Sequence, residues 1–341
     1  MRTYSVAVVG ASGNVGREIV NILEQRNFPV GKLTLLASHR SAGKSVPFRG
    51  EELVIQDLET FDFSGTDIGL FSPGASVSKI HAPRAAAAGC VVIDNTSFFR
   101  MDPEIPLVVP EVNPKAIAQY KKRGIISNPN CSTIQMVVAL KPLHKAAGIK
   151  RVVVDTYQAV SGAGKAAIDE LYAQTRSKFM EGEEVSPSNF PKEIAFNLIP
   201  QIDTFLENGY TKEEMKMVNE TKKILDPKIK VTATAVRVGV FNSHSEAITI
   251  ETKKPLSATK ARKILAKSEG IEVVDDPSTL AYMTPAEAAG TDVTYVSRVR
   301  QDLSIKKNRG LTMWVVSDNL RKGAALNAVQ IAEVLIRDHL G

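Results

Sequence analysis

Three groups of residues in this chain are spaced for chemistry. Cys131 ends the stretch Ser127-Asn-Pro-Asn-Cys131, after the apolar pair Ile125 and Ile126 and before residues 133–147, whose apolar positions recur at helical spacing. It therefore sits where an extended segment becomes a helix. Backbone N–H groups there lack intrahelical partners and the helix dipole is positive, which favours a thiolate. A nucleophile is one reading; an inert packing cysteine is the other. A thiolate nucleophile needs a proton-transfer partner, and the segment Arg237-Val-Gly-Val-Phe-Asn-Ser-His244 offers one. Cys–His pairs serve acyl transfer, although His244 read alone is also an ordinary hydrogen-bonded loop histidine. The third group is Gly10-Ala-Ser-Gly-Asn-Val-Gly16, whose glycines permit a tight turn and close backbone approach to a pyrophosphate. Read alone, that stretch is also a plain strand-to-helix connection.

The elements that must hold these residues follow from the flanking patterns. Residues 4–9 form a short β-rich run before the glycine loop, and residues 17–25 continue as a helix with Ile19, Val20, Ile22 and Leu23 apolar. The strand at 32–37 ends in Ser38-His-Arg-Ser41, without the carboxylate that usually meets the ribose of NAD. Ser38, Arg40 and Ser41 suit a 2′-phosphate, which favours NADP; an incidental arginine in a polar loop is the other reading. Further strands at 67–71 and 91–94, with a helix at 76–88 that Pro83 should kink or restart, describe a doubly wound parallel sheet. Ser72, Gly74 and Asn95 fall at its strand ends, where such sheets bind ligands. Arg100, just past a strand end, is either an anion clamp or a surface arginine.

Beyond the cysteine helix the pattern changes. A strand at 151–158 leads into a second glycine loop, residues 159–164, and a helix from Lys165 to about Met180. Residues 181–208 carry three prolines and read as loops and short helices. A helix at 211–225 has Met215, Val218 and Leu225 facing inward. The runs 231–240, 245–252, 293–301 and 311–317 then alternate or are β-rich, with one helix at 257–268, and describe a mixed, largely antiparallel sheet. The expected class is α/β: a Rossmann-like doubly wound parallel sheet plus an α+β catalytic and dimerisation domain. Residues 1–127 form the first domain, completed by a C-terminal helix within 319–341, and residues 128–318 form the second.

Composition narrows the function classes. At 341 residues the chain is long enough for two packed domains. The net charge of +6 is spread without interleaved aromatic residues, so solvated faces or an anionic small substrate are expected and nucleic acid is not. Five dispersed histidines make a structural metal site an unfavoured reading. No apolar run approaches membrane-spanning length, and the first residues do not read as a signal or transit segment. Two cysteines, Cys90 and Cys131, make no disulfide framework and suit a reducing cytoplasm. Cys90 reads as packing.

The combination resembles the aspartate-β-semialdehyde dehydrogenases almost from end to end. It rests on Gly10-Ala-Ser-Gly-Asn-Val-Gly16, Asp94-Asn-Thr-Ser97, Val109-Pro-Glu-Val-Asn113, Ser127-Asn-Pro-Asn-Cys131, Tyr157-Gln-Ala-Val-Ser-Gly-Ala-Gly164, Glu220-Thr-Lys-Lys223, Arg237-Val-Gly-Val240 and His244. The resemblance implies reductive dephosphorylation of L-aspartyl 4-phosphate by NADPH through a thioester on Cys131, in the pathway to lysine and diaminopimelate, threonine, isoleucine and methionine. It implies His244 as acid/base, Asn130 at the oxyanion and Gln158 orienting the acyl group. Arg237 would take the α-carboxylate, Glu220 the ammonium, and Arg100 and Lys223 the phosphate. Gly10, Ser12, Gly13, Asn14, Val15, Ser38, Arg40, Ser41, Ser72, Gly74 and Asn95 would hold the cofactor, with Ser161, Gly162 and Asn319 toward its nicotinamide. The cysteine helix would lie where the two domains meet, and a homodimer is expected. An N-acetyl-γ-glutamyl-phosphate reductase is the near alternative, disfavoured because its substrate has no free ammonium for Glu220. Glyceraldehyde-3-phosphate dehydrogenases share the chemistry but differ around the cysteine. A non-catalytic NADP-binding sensor is disfavoured by the presence of both Cys131 and His244.

Overall fold

The computed structural model describes residues 2–180 and 185–340. Residues 181–184, which open the segment read as loops and short helices, lie outside the described residues, as do Met1 and Gly341. The chain divides into two units, Met1–Asn130 with Ala324–Gly341, and Cys131–Gly323. The division thus falls directly before Cys131 rather than after Ser127.

The first unit is built on strands β1 (Tyr4–Val9), β2 (Val30–Ala37), β3 (Ser45–Phe48), β4 (Glu51–Asp57), β5 (Ile68–Phe71), β6 (Val91–Asp94) and β7 (Ile125–Ser127), in the order β3-β4-β2-β1-β5-β6-β7. Every pairing is parallel except the β3–β4 hairpin at one edge. The order reverses at β1, with β2 on one side and β5 on the other, so the loop after β1 sits at a topological switch point. Helix α1 (Asn14–Gln25) buries Ile19, Val20, Ile22 and Leu23 against this sheet, at the spacing read from the sequence. Helix α2 (Ala75–Ala87) runs through Pro83 as one element rather than restarting there.

The second unit begins with α3 (Cys131–Ala147), most of whose side chains are buried. It continues with β8 (Ile149–Gln158), α4 (Lys165–Phe179), β9 (Leu198–Ile199), α5 (Lys212–Ile224), β10 (Lys230–Val238), β11 (His244–Thr252), α6 (Ala258–Leu265), β12 (Ile271–Val273), α7 (Pro285–Ala288), β13 (Thr294–Gln301) and β14 (Gly310–Ser317). The sheet order is β12-β13-β14-β11-β8-β10-β9, with parallel pairing only for β12–β13 and β8–β10. Met136, Leu140 and Leu143 of α3 pack on Val152, Val154, Ile248, Ile250, Met313 and Val315. Burying side chains of this size is worth roughly 1.5–3 kcal/mol each, so the face of the sheet under α3 is firmly set.

Helix α5 starts in a capping box, in which Thr211 N–H donates to Glu214 and Glu214 N–H to the Thr211 hydroxyl. Its buried face is Glu213, Glu214, Met217, Val218, Glu220, Thr221 and Ile224. Met215 and Leu225, expected to face inward, are only half-buried. The C-terminal helix is also less regular than the sequence implies. A π-helical turn at Arg321–Ala325 precedes α8 (Leu326–Leu335), and another follows at Ile336–Leu340. Helix α8 belongs to the first unit, where Glu333 accepts from Arg26 Nε at 2.6 Å and Nη2 at 2.8 Å.

Candidate active site

In the second unit, strand register assembles the site. His244, the first residue of β11, pairs with Gln158, the last of β8, and Gln158 pairs on its other side with Arg237 of β10. The three stand in one row across adjacent strands, each step about 4.8 Å. Helix α3 is tied to that row one turn beyond Cys131, where Gln135 Nε2 donates to the His244 carbonyl at 3.2 Å. The Ala159 peptide clamps the row from the end of β8. Its N–H donates to His244 Nδ1 at 3.1 Å, and its carbonyl accepts from Arg237 Nη1 at 2.7 Å.

Two glycines leave the room this cluster needs. A Cβ on Gly162 would stand 3.2 Å from both His244 Nε2 and Arg237 Nη1. One on Gly323, in the π-helical turn, would come within 2.9 Å of the Cys131 Cβ. The turn before β11 is strained, with Ser243 at φ 73°. Asn319 holds it by accepting from Ser243 N–H at 2.9 Å while bonding Ser161 Oγ. Backbone strain of this kind persists where the surroundings over-determine it.

Charge is concentrated here. His244 is fully buried and its pKa is pushed down to about 3, first by desolvation and then by the Arg237 guanidinium, against opposing pulls from Glu213 and the Ser243 carbonyl. Arg237 is itself lowered by burial, an effect opposed by Glu213 and by Cys131, so the guanidinium and the cysteine interact electrostatically. Gln158 Nε2 lies 3.5 Å from His244 Nε2 and donates to Glu213 at 3.1 Å. Glu213 in turn accepts from Lys216 at 2.9 Å, and Lys216 also reaches Asp203 at 3.1 Å.

Glu213 and Lys216 are absent from the expected site. The pair that the resemblance implies, Glu220 and Lys223, has the same spacing seven residues later and lies about 10 Å further along α5. Glu220 is buried, but the pair that meets Gln158 is the first one. Two signals could have pointed to it. Glu213 lies two residues after the capping threonine, in the first turn, and the inner face of α5 repeats its carboxylates at a seven-residue interval.

The first unit places its expected residues at strand ends. A Cβ on Gly16 would stand 2.2 Å from the Gly10 carbonyl oxygen, and one on Gly10, at φ +86°, 2.6 Å from the Ser72 carbonyl oxygen. Ser12, Gly13, Asn14 and Val15 complete the loop and the first turn of α1, which has no acidic residue and no side-chain cap. That cradle fits a pyrophosphate. Gly74, at φ +96°, opens α2 after Ser72, and the Asn95 amide donates to the Phe71 carbonyl at 3.0 Å. Arg40 and Ser41 lie in a short 3-10 turn after β2, with Ser38 at its N-cap position. Exposed Arg40 makes no hydrogen bond or ion pair among the described residues. Arg100 is buried and donates to the carbonyls of Asn128 and Asn95 at 3.0 and 2.8 Å. Asn130, also buried, is the last residue before the second unit.

Residues 5–120 match the NAD-binding domain of semialdehyde dehydrogenases, and residues 140–322 match the dimerisation domain of the same family. An aspartate-semialdehyde dehydrogenase of Shewanella sp. (strain DB6705) is 57% identical over 338 residues, which span 98% of this chain and 98% of that protein. The chain belongs to the aspartate-semialdehyde dehydrogenase family. The Aquifex aeolicus member is 55% identical over 340 residues, 99% of each chain. The crystal structure of aspartate semialdehyde dehydrogenase II complexed with ASA from Vibrio cholerae matches with a TM-score of 0.97 at 52% identity, covering 99% of this chain and 100% of that one. Aspartate semialdehyde dehydrogenase with NADP from Candida albicans matches at 0.76 and 25% identity, with 98% of each chain covered. The family's two-domain architecture, a nucleotide-binding parallel sheet and a mixed dimerisation sheet, is that of this chain. Among the described residues no helix is long and apolar enough to cross a membrane.

Proposed function

We propose that this aspartate-semialdehyde dehydrogenase family member catalyses the NADPH-dependent reductive dephosphorylation of L-aspartyl 4-phosphate to L-aspartate 4-semialdehyde and phosphate, through a thioester on Cys131. The observation that carries this reading is the row His244–Gln158–Arg237 beside the helix that begins at Cys131. The Cys131 thiolate attacks the acyl carbon, a C–S bond forms, and phosphate leaves with a proton from solvent. A reduced nicotinamide, when bound, supplies the hydride that reduces the acyl group. The C–S bond then breaks, its electrons return to Sγ, and the aldehyde is released. His244 attends the acyl oxygen through these steps, with Asn130 assigned to the same oxygen.

The remaining groups match the substrate's charges. Arg237 suits the α-carboxylate through its planar fork. Glu213, in place of Glu220, takes the ammonium, and Lys216, in place of Lys223, joins Arg100 in binding phosphate. Gln158 orients the acyl group while holding Glu213. The carboxylate also argues against N-acetyl-γ-glutamyl-phosphate, whose nitrogen carries no charge. The glycine cradle at Gly10 to Gly16 would hold the cofactor pyrophosphate, and Arg40 with Ser38 and Ser41 the 2′-phosphate that distinguishes NADP. The relatives' names support a place in amino-acid biosynthesis, and the matched dimerisation domain supports a homodimer. We assign the chain to the cytoplasm, consistent with the absence of a disulfide between Cys90 and Cys131.

The test is phosphate-dependent NADPH formation from aspartate semialdehyde, measured beside N-acetylglutamate semialdehyde. Cys131→Ala should lower kcat by about 10⁴ or more and leave cofactor binding intact. Substantial residual turnover, or preference for the acetylated substrate, would overturn the reading. Equal specificity constants for NAD and NADP would remove the role given to Arg40.

A further inference from the structure

Strand β9 extends the row by one more place. Ile199 stands opposite Arg237 in antiparallel register, so the two side chains leave the sheet on the same face. Ile199 is buried in a small apolar cluster with Val160, Leu171 and Ile194, and half-buried Phe190 packs against that cluster. From there its ring covers the Arg237 guanidinium, with Cζ 5.9 Å from the ring centroid. The chain on either side of Phe190 is tied to α4. One carboxylate oxygen of buried Glu170 accepts from the Ser188 and Asn189 N–H groups at 3.2 and 2.6 Å, and from the Ser188 hydroxyl and the Asn189 amide at 2.9 and 2.8 Å. Its other oxygen accepts from Gln174 Nε2 at 3.1 Å, and Gln174 Oε1 accepts from the Ile194 and Ala195 N–H groups at 3.0 and 3.2 Å. Two side chains four residues apart on one helix face thus hold the backbone before and after the ring. A buried carboxylate bonded this fully makes a rigid support.

We propose that Phe190 is a positioning residue for the substrate's α-carboxylate: its ring lies on the Arg237 guanidinium and keeps the Nε–Nη2 edge of that group aimed at the carboxylate. This rests on the role given to Arg237 above and deepens it. Arg237 Nη1 is anchored on the Ala159 carbonyl at 2.7 Å, and among the described residues the guanidinium makes no other hydrogen bond. A single anchor leaves the group free to turn about it. A bidentate contact, however, needs both N–H groups of one edge in the plane of the carboxylate. A flat apolar ring against one face opposes turning out of that plane and adds a cation–π attraction. The faces of a guanidinium are weakly hydrated, so covering one costs little, and the donating edges stay open. Such an arrangement strengthens binding without touching the reacting carbon. Its loss should therefore appear in KM rather than in kcat.

Initial rates of the full-length enzyme with aspartate semialdehyde, phosphate and NADP test this. Phe190→Leu keeps an apolar side chain on the cluster and removes the ring face. It should raise KM for aspartate semialdehyde about fivefold, while kcat and the KM values for phosphate and NADP stay within about twofold of wild type. Phe190→Tyr restores the face and should return that KM to within about twofold of wild type. If Phe190→Leu does not fold, Phe190→Met takes its place with the same expected outcome. An unmoved KM without the ring, an equal rise in the leucine and tyrosine variants, or a loss carried by kcat would overturn the proposal. Arg237→Gln separates it from the reading beneath it. That variant should raise KM for the aldehyde about a hundredfold. An unmoved KM there removes Arg237 from the carboxylate, whereas a large rise there with none in Phe190→Leu removes only the role given to Phe190.

Discussion

The two sheets carry their polar groups in different ways. In the first unit they lie on loops that follow directly from strand ends: Gly10 to Gly16 after β1, Ser38 to Ser41 after β2, Ser72 and Gly74 after β5, Asn95 after β6. Each group is continuous with the strand that positions it. In the second unit His244, Gln158 and Arg237 lie within strands, 7 and 79 residues apart in sequence, and meet only because three strands pair in one register. Glu213 joins them from the buried face of a helix. A loop site can be read within a short window of sequence. A register site belongs to the whole sheet, because one residue of slip turns every side chain to the opposite face.

The sharpest way to break this comparison is to exchange the two Glu–Lys pairs of α5. Glu213→Gln should lower kcat/KM by about a hundredfold or more, roughly 3 kcal/mol, because a carboxylate hydrogen-bonded to Gln158 and paired with Lys216 is replaced by a neutral amide. Glu220→Gln should lower it by less than about tenfold. Steady-state kinetics with aspartate semialdehyde, phosphate and NADP decides between them. A larger loss in Glu220→Gln would return the ammonium site to the later pair and would mean that contact with the register row is not what defines the site.

That pair also shows where sequence reading stops. The parallel sheet, the glycine cradle and the helix beginning at Cys131 were legible because each is signalled locally, by β-rich runs, by glycine, or by helical spacing. The individual residues Gln158, Arg237 and His244 were legible through a family pattern, yet nothing in their spacing showed that they share a row. Helix α5 failed for a different reason. Its inner face carries Glu213, Glu214 and Glu220 among apolar residues, and hydrophobic periodicity cannot count a buried carboxylate, so the face was phased on Met215 instead. The β3–β4 hairpin and the π-helical turn at Arg321–Ala325 gave no local signal at all. The latter brings Gly323 against Cys131, a contact between residues distant in sequence.

A smaller effect should separate the loop site from the register site. In Gly16→Ala the new methyl would stand 2.2 Å from the Gly10 carbonyl oxygen, a contact relieved only by opening the loop. NADPH affinity, followed by fluorescence titration, should fall about tenfold to a hundredfold, roughly 1.4–2.8 kcal/mol. Alkylation of Cys131 in the absence of cofactor should be unchanged. Unaltered affinity would show that this loop is not the pyrophosphate cradle.

An effect on stability rather than on activity concerns a polar group of the second sheet to which no step of the reaction is assigned. Glu246 shares its face of β11 with His244, Ile248 and Ile250 and is fully buried. Desolvation raises its pKa well above the ordinary carboxylate range, against a smaller pull from Gln135. A carboxyl raised in the folded state binds its proton more tightly there than in the unfolded chain. Its stabilising contribution is then fully present below the unfolded pKa, about 4.3, and is lost as pH rises toward the folded value. Glu246→Gln, which keeps the shape and removes the titration, should therefore match wild type near pH 4. Above that it should gain on wild type by up to about 1.4 kcal/mol per pH unit until the folded pKa is reached. Denaturant unfolding at fixed protein concentration across pH 4 to 8 measures the difference. Parallel pH curves for the two proteins would mean that Glu246 is ionised in place and paired. Strand β11 would then carry a second charged site, two residues beyond His244, in the same row-by-row manner as the first.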